Sequence, residues 1–201
     1  MAVSADSIKK LREETGAGIM DCRKALEEST GDLERAALLL RERGAAKALS
    51  KENRRAQEGS IMAYVHHGGK LGSLVEVNCE TDFVARNEEF ITLAKELSMQ
   101  VAATSPRWVA KEDVPGAFLE AQKEEFRKQA AELGKPADAF VQEKTDQLLS
   151  QLCLLEQPYI RDAAIIVSSL ITEKVAKFGE RIRVKRFVVF KLGEGDEQPP
   201  V

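Results

Sequence analysis

The stretch Leu71-Gly72-Ser73-Leu74-Val75-Glu76-Val77-Asn78-Cys79-Glu80-Thr81-Asp82-Phe83-Val84 decides the fold. It opens with strict alternation: Leu71, Ser73, Val75, Val77 and Cys79 share one face, and Gly72, Leu74, Glu76 and Asn78 the other. A period of two is the signature of a half-buried strand. The pattern breaks across Asn78 to Thr81, and the run from Asp82 to Leu97 reads as a helix with Asp82 as its N-cap. Phe83 then lies in the first turn, directly after a rigid strand. Two readings stay open on these residues alone. Phe83 is a core aromatic behind a helix cap, or it is a probe offered to something outside the chain.

Working outward, Ile61, Ala63 and Val65 alternate on the upstream side, and His66-His67-Gly68-Gly69-Lys70 supplies the turn, so the two runs form a hairpin. A third strand is expected at Arg181 to Leu192. Ile182, Val184, Val188, Phe190 and Leu192 would share its apolar face, opposite Arg181, Arg183, Lys185 and Lys191. Helices over Asn87 to Ala103 and Ser168 to Phe178 would cover the apolar side of this small antiparallel sheet, giving an α+β core.

Residues 4 to about 48 read as three short helices. Ile8, Leu11 and Arg12 mark the first, and Thr15 to Gly18 ends it. Cys22, Ala25 and Leu26 face inward on a second helix over Ile19 to Glu28. Asp32 caps a third, striped by Leu33, Ala36, Ala37 and Leu40. The polar run from Ala48 to Glu58 is a linker candidate. Phe118, Leu119, Phe126, Ala130 and Leu133 run down one further helix and Val141, Thr145, Leu148, Leu152 and Leu155 run back after Gly134-Lys135-Pro136, an antiparallel hairpin expected to project from the core. The expected domains are therefore 1–50, a linker over 51–58, and a core over 59–201 with the helical hairpin inserted at about 114–155.

With 30 basic and 33 acidic residues the net charge is −3, so no global field draws the chain to nucleic acid or an anionic membrane. No direct nucleic-acid or membrane partner is expected. Three separated cysteines without a CxxC pair argue against a zinc site or disulfide framework and for a reducing compartment, and the N-terminus lacks an apolar h-region, so a cytoplasmic location is expected. No phosphate-binding loop, dinucleotide glycine pattern, HExxH or GxSxG occurs, so the expectation is a protein that is not an enzyme, with no catalytic residues, no metal site and no cofactor.

Two long motifs, Thr15-Gly16-Ala17-Gly18-Ile19-Met20-Asp21-Cys22-Arg23-Lys24-Ala25-Leu26 and Glu76-Val77-Asn78-Cys79-Glu80-Thr81-Asp82-Phe83-Val84-Ala85-Arg86, closely resemble the elongation factor Ts family, the guanine-nucleotide exchange factors of elongation factor Tu. Phe178-Gly179-Glu180-Arg181-Ile182 and the helical hairpin extend the likeness over nearly the whole chain. The resemblance implies that the N-terminal helices are similar to a ubiquitin-associated fold and contact the nucleotide domain of the GTPase through Lys9, Arg12, Ile19 and Met20. It implies that the Thr81-Asp82-Phe83-Val84 segment meets the partner, with Asp82 and Phe83 entering near the Mg²⁺ and phosphate site and the ring wedged between two GTPase helices. It further implies that His67 packs against the third domain of the GTPase.

Longer members of that family carry two core subdomains, and this chain has one. A single copy can hardly serve two distant surfaces, so a homodimer is expected, one subunit offering Asp82 and Phe83 and the other His67, with the sheet edge as the seam. The alternative is an RNA-binding or ribosome-associated adaptor using Arg54, Arg55, Arg181, Arg183 and Lys185. A ubiquitin-like-ligand adaptor built on the N-terminal helices rests on fold analogy alone.

Overall fold

A computed structural model describes residues 3–194, so the outermost ends of the expected domains, residues 1–2 and 195–201, lie outside the described residues. The architecture is α+β. The described chain falls into two compact units. One takes the chain up to Gly59 together with Asn78–Asn87 and Ser169–Arg183; the other takes Ser60–Val77, Glu88–Ser168 and the chain from Val184 onward.

In the first unit, α1 (Ala5–Thr15), α2 (Ile19–Glu28) and α3 (Leu33–Leu49) form where the caps and stripes place them. Ser4 Oγ accepts from the Ser7 amide and Asp32 Oδ1 from the Arg35 amide, each satisfying one orphan donor at a helix start. Leu11, Cys22, Ala25, Leu26, Ala36 and Ala37 make the shared core. Helix α8 (Val167–Phe178) contributes its C-terminal part to the same unit, and Gly44 marks its close approach to α3. A Cβ added at Gly44 would sit 3.3 Å from the Ala176 methyl. The polar run after α3 is not a free tether. Ala56 is buried, and the Lys51 ammonium donates to the Gly179 carbonyl.

Strands β1 (Glu58–Val65), β2 (Leu71–Cys79) and β5 (Arg183–Lys191) form one antiparallel sheet in the order β1-β2-β5. The face of β2 read from the alternation is the buried one: Ser73, Val75, Val77 and Cys79 all turn inward. In the second unit Ser73 Oγ donates to the Ser98 carbonyl at 2.7 Å, tying β2 to α5 (Glu88–Thr104), whose Phe90, Leu93, Ala94, Leu97 and Val101 supply the core.

Three expectations are corrected. The single helix from Asp82 to Leu97 is two, α4 (Asp82–Ala85) and α5. The amides of Arg86 and Asn87 turn back to the carbonyls of Asp82 and Val84, and Glu88 and Glu89 begin a fresh helix where negative charge suits the exposed N–H groups. The apolar residues of β5 do not all face inward. Ile182 and Val184 are buried, but Val188, Phe190 and Leu192 are exposed, and so are Ile61, Val65 and Leu74. Gly72, whose added Cβ would meet the Val65 side chain at 3.7 Å, and the Arg186–Glu76 ion pair at 2.7 Å belong to this same outer face, which thus carries exposed apolar side chains beside one charge pair. Finally, a second, two-stranded sheet of β3 (Pro158–Tyr159) and β4 (Asp162–Ile166) stands in a stretch to which no strand was assigned. Buried Gln100 holds it: its amide nitrogen donates to Gln157 Oε1 and the Pro158 carbonyl, each at 3.1 Å, and its oxygen accepts from the Ile160 amide at 2.8 Å.

The helical hairpin is α6 (Gly116–Glu132) and α7 (Ala137–Leu152), closed over Ala130 and Phe140, with Lys135 and Lys144 flanking the Phe140 ring. Leu133, expected on the inward stripe, is exposed at the tip because Gly134 ends the helix in a left-handed turn just beyond it. Among the described residues, no helix is long and apolar enough to cross a membrane.

Candidate functional site

The segment following β2 is held from behind and open in front. Thr81, not Asp82, is the N-cap of α4: its backbone is extended and its Oγ1 accepts from the Val84 amide at 3.3 Å. Both residue types favour this position, and what selects Thr81 comes from a remote part of the chain. The Glu180 carboxylate accepts from the Glu80 amide (3.1 Å), the Thr81 amide (3.0 Å) and the Thr81 hydroxyl (2.6 Å). Glu80 returns the arrangement, its Oε1 accepting from the Arg181 amide at 2.6 Å and its Oε2 pairing with the Arg54 guanidinium at 3.3 Å. Burial raises the Glu80 carboxyl, but the Arg181 N–H and the Arg54 guanidinium outweigh it, and the group titrates below its ordinary range.

The forward side differs. Phe83 is 81% exposed, on a turn where neighbouring Val84 is 5% exposed and anchors the segment in this chain. Asp82 makes an ion pair with Arg86 one helical turn on, at 3.1 Å, with both side chains largely in solvent. Of the four residues Thr81 to Val84, then, Asp82 and Phe83 are presented, Thr81 shapes the turn, and Val84 is turned inward. Beneath them Cys79 is fully buried, its thiol pushed up to about 11 by burial and then by the Glu180 charge, so it is no nucleophile.

The other expected contact residues are also at the surface. Lys9 and Arg12 lie on α1, and Ile19 and Met20 expose their apolar side chains in the first turn of α2. They belong to the same compact unit as Asp82 and Phe83. His67 belongs to the other unit, exposed in the β1–β2 turn, where the Gly69 amide bonds to the His66 carbonyl at 2.9 Å and Gly68 takes a φ of 91°. His66 is engaged with Tyr64, Nδ1 to hydroxyl at 3.0 Å.

The profile described as Elongation factor TS matches residues 33–194. Proteins named elongation factor Ts from Coprothermobacter proteolyticus and Caldanaerobacter subterraneus subsp. tengcongensis are 52% and 51% identical to it, over 96% and 98% of this chain and the full length of each relative. The chain belongs to the elongation factor Ts family. An elongation factor Ts from Carboxydothermus hydrogenoformans, 48% identical, is matched over 96% of this chain and 90% of its own length, so the likeness to the family is not confined to one part of the chain.

Sequence reasoning missed Glu180 and Glu80 as supports of the Thr81–Val84 segment. Glu180 stands in the Phe178-Gly179-Glu180-Arg181-Ile182 segment that carries the family likeness, but no spacing in the sequence connects it to Thr81, 99 positions away. The basic residues of the RNA-binding alternative are partly committed: Arg54 pairs with Glu80, and the Arg181 guanidinium donates to the Arg54 carbonyl at 2.5 Å.

Proposed function

We propose that this chain is a guanine-nucleotide exchange factor that releases GDP from elongation factor Tu, acting by binding and not by chemistry on a substrate. Membership of the elongation factor Ts family supports the partner and the role. The observation that carries the finer mechanism is the 81% exposure of Phe83 on a turn otherwise held by hydrogen bonds. An isolated monomer has no reason to leave so large an apolar ring in water beside a well-filled core, and a wedge for a partner's cleft needs it there.

Nanomolar nucleotide binding corresponds to roughly −12 kcal/mol, so an exchange factor must lower that affinity through reciprocal coupling between the two ligands. Burying one phenylalanine supplies only about 1.5–3 kcal/mol. Phe83 therefore acts together with surfaces that bind elsewhere: Lys9, Arg12, Ile19 and Met20 supply free energy that holds the wedge in place, and Asp82 brings a carboxylate toward the Mg²⁺ and phosphate region. The experiment is stopped-flow release of a fluorescent GDP analogue from elongation factor Tu. Phe83→Ala and Asp82→Ala should both release it more slowly; unchanged release in both removes the wedge.

A second copy of the chain completes the proposal, supplying His67 to the same GTPase. The open apolar face of the sheet, with Phe190 64% exposed beside Val188 and Leu74, supports the face as the seam instead of the edge. Sedimentation should show a dimer that Phe190→Glu converts to monomer; an unchanged sedimentation coefficient in that variant rejects the face.

A further inference from the structure

We propose that Glu180 is the positioning residue for the Asp82–Phe83 pair, its carboxylate fixing the turn from which the pair leaves the surface. The inference rests on the exchange reading above. An ionised carboxylate only accepts hydrogen bonds. Because the Thr81 hydroxyl donates its hydrogen bond to Glu180 Oε1 at 2.6 Å, a lone pair of that hydroxyl is left for the Val84 amide at 3.3 Å. Oε2 takes the Glu80 and Thr81 amides, the last N–H groups before the helix begins. One side chain thus sets both the end of β2 and the first turn of α4. Glu80 closes the reverse link to the Arg181 amide, so positions 80–81 and 180–181 are joined in both directions.

The pair itself stands on a short support. Helix α4 is four residues long, far below the length at which a helix is stable by its own hydrogen bonds. Asp82 pairs with Arg86, on the next turn of the same short segment. The direction of the Phe83 ring is therefore inherited from the backbone that Glu180 holds. A pre-set turn loses less entropy on insertion, and that advantage is realised only when the ring enters the partner. Initial association, made through other surfaces, does not draw on it.

The test is stopped-flow GDP release from elongation factor Tu over a range of factor concentrations, with wild type, Phe83→Ala, Glu180→Ala, Glu180→Gln and the double variant Phe83→Ala/Glu180→Ala. Glu180→Ala should lower the maximal release rate on the order of tenfold while leaving the half-saturating concentration near wild type. Glu180→Gln should fall between, since its amide oxygen still accepts from the two backbone N–H groups. In the Phe83→Ala background, removing Glu180 should cost less than it does in wild type, because only its effect through Asp82 remains and residues that act through one group are not additive. If Glu180→Ala melts below the assay temperature, the same cycle is read with Glu180→Gln. A wild-type rate for Phe83→Ala overturns the wedge and this proposal with it. A slowed Phe83→Ala beside a wild-type Glu180→Gln and Glu180→Ala, deficits that multiply in the double variant, or a change confined to the half-saturating concentration overturns the positioning role and leaves the wedge standing.

Discussion

The turn after β2 and the turn between β1 and β2 both offer a side chain to solvent, but they are shaped by different means. The Thr81 turn is held from far along the chain, by the Glu180 carboxylate and by the Arg181 backbone amide, which donates to Glu80. The His66–Lys70 turn is held by its own backbone, with Gly68 and Gly69 at φ values of 91° and 69° that other residues rarely adopt. The first can be disarmed by a side-chain mutation 99 positions away; the second takes from far along the chain a backbone bond, the Leu192 amide to the Lys70 carbonyl at 2.9 Å, and its shape is set by its own glycines. Long-range closure suits a residue whose direction decides an outcome, and local closure suits a contact surface that needs only to be in place.

The largest effect tests what the Thr81 turn is for. Phe83→Ala should lower the GDP release rate on the order of tenfold to a hundredfold, the kinetic equivalent of losing one buried ring in the complex. Its thermal melting should match wild type, because the ring is solvated in the free chain. A drop of several degrees would mean that the ring packs at home.

Next is the local turn. Gly68→Ala adds a Cβ with no neighbouring atom within 4 Å, so its cost is backbone strain alone, about 1–2 kcal/mol in a urea unfolding curve. A neutral result would show that the turn tolerates another geometry. Thr81→Val, nearly isosteric, removes the cap and one bond to Glu180 and should cost about 1 kcal/mol. Its effect on the exchange rate should exceed that of Gly68→Ala, the reverse of their order in stability. The same order in both measurements would erase the distinction between the turns.

The smallest effect is acid sensitivity. The Glu80 carboxyl titrates lower in the folded chain than in the unfolded one, so its contribution is complete above the ordinary glutamate range and is lost as pH falls through the depressed folded value. The urea midpoint of Glu80→Gln should therefore lie below wild type at neutral pH and converge with it in acid. Parallel curves across that window would exclude Glu80 as the acid-sensitive link.

Much of this was legible because it is periodic or local. Cys22, Ala25 and Leu26 announce the buried side of α2, Asp32 its neighbour's cap, and the alternation from Leu71 the inner face of β2. What could not be read has two causes. Alternation says which residues share a face, not which face is covered, and Val188 and Phe190 proved to lie on an open apolar side. Short polar residues compete for one cap, and only the arrival of Glu180 at Thr81 decides between Thr81 and Asp82. The break at Arg86-Asn87 carries no glycine or proline, and its one sign was Asn87, a residue type that favours helix starts and the point from which a separate helix to Ala103 was read. For the candidate site, Asp82 and Phe83 stood out at once, while their support, being side chain to backbone across the chain, left no local trace.

All three cysteines are reduced and fully buried, Cys22 in the three-helix core, Cys79 under the Thr81 turn and Cys153 in the second unit. Each is thus a built-in stopwatch. An alkylating reagent can reach a sealed thiol only when its surroundings open, so the three labelling rates, read peptide by peptide, time the breathing of three separate places in an otherwise unmodified chain.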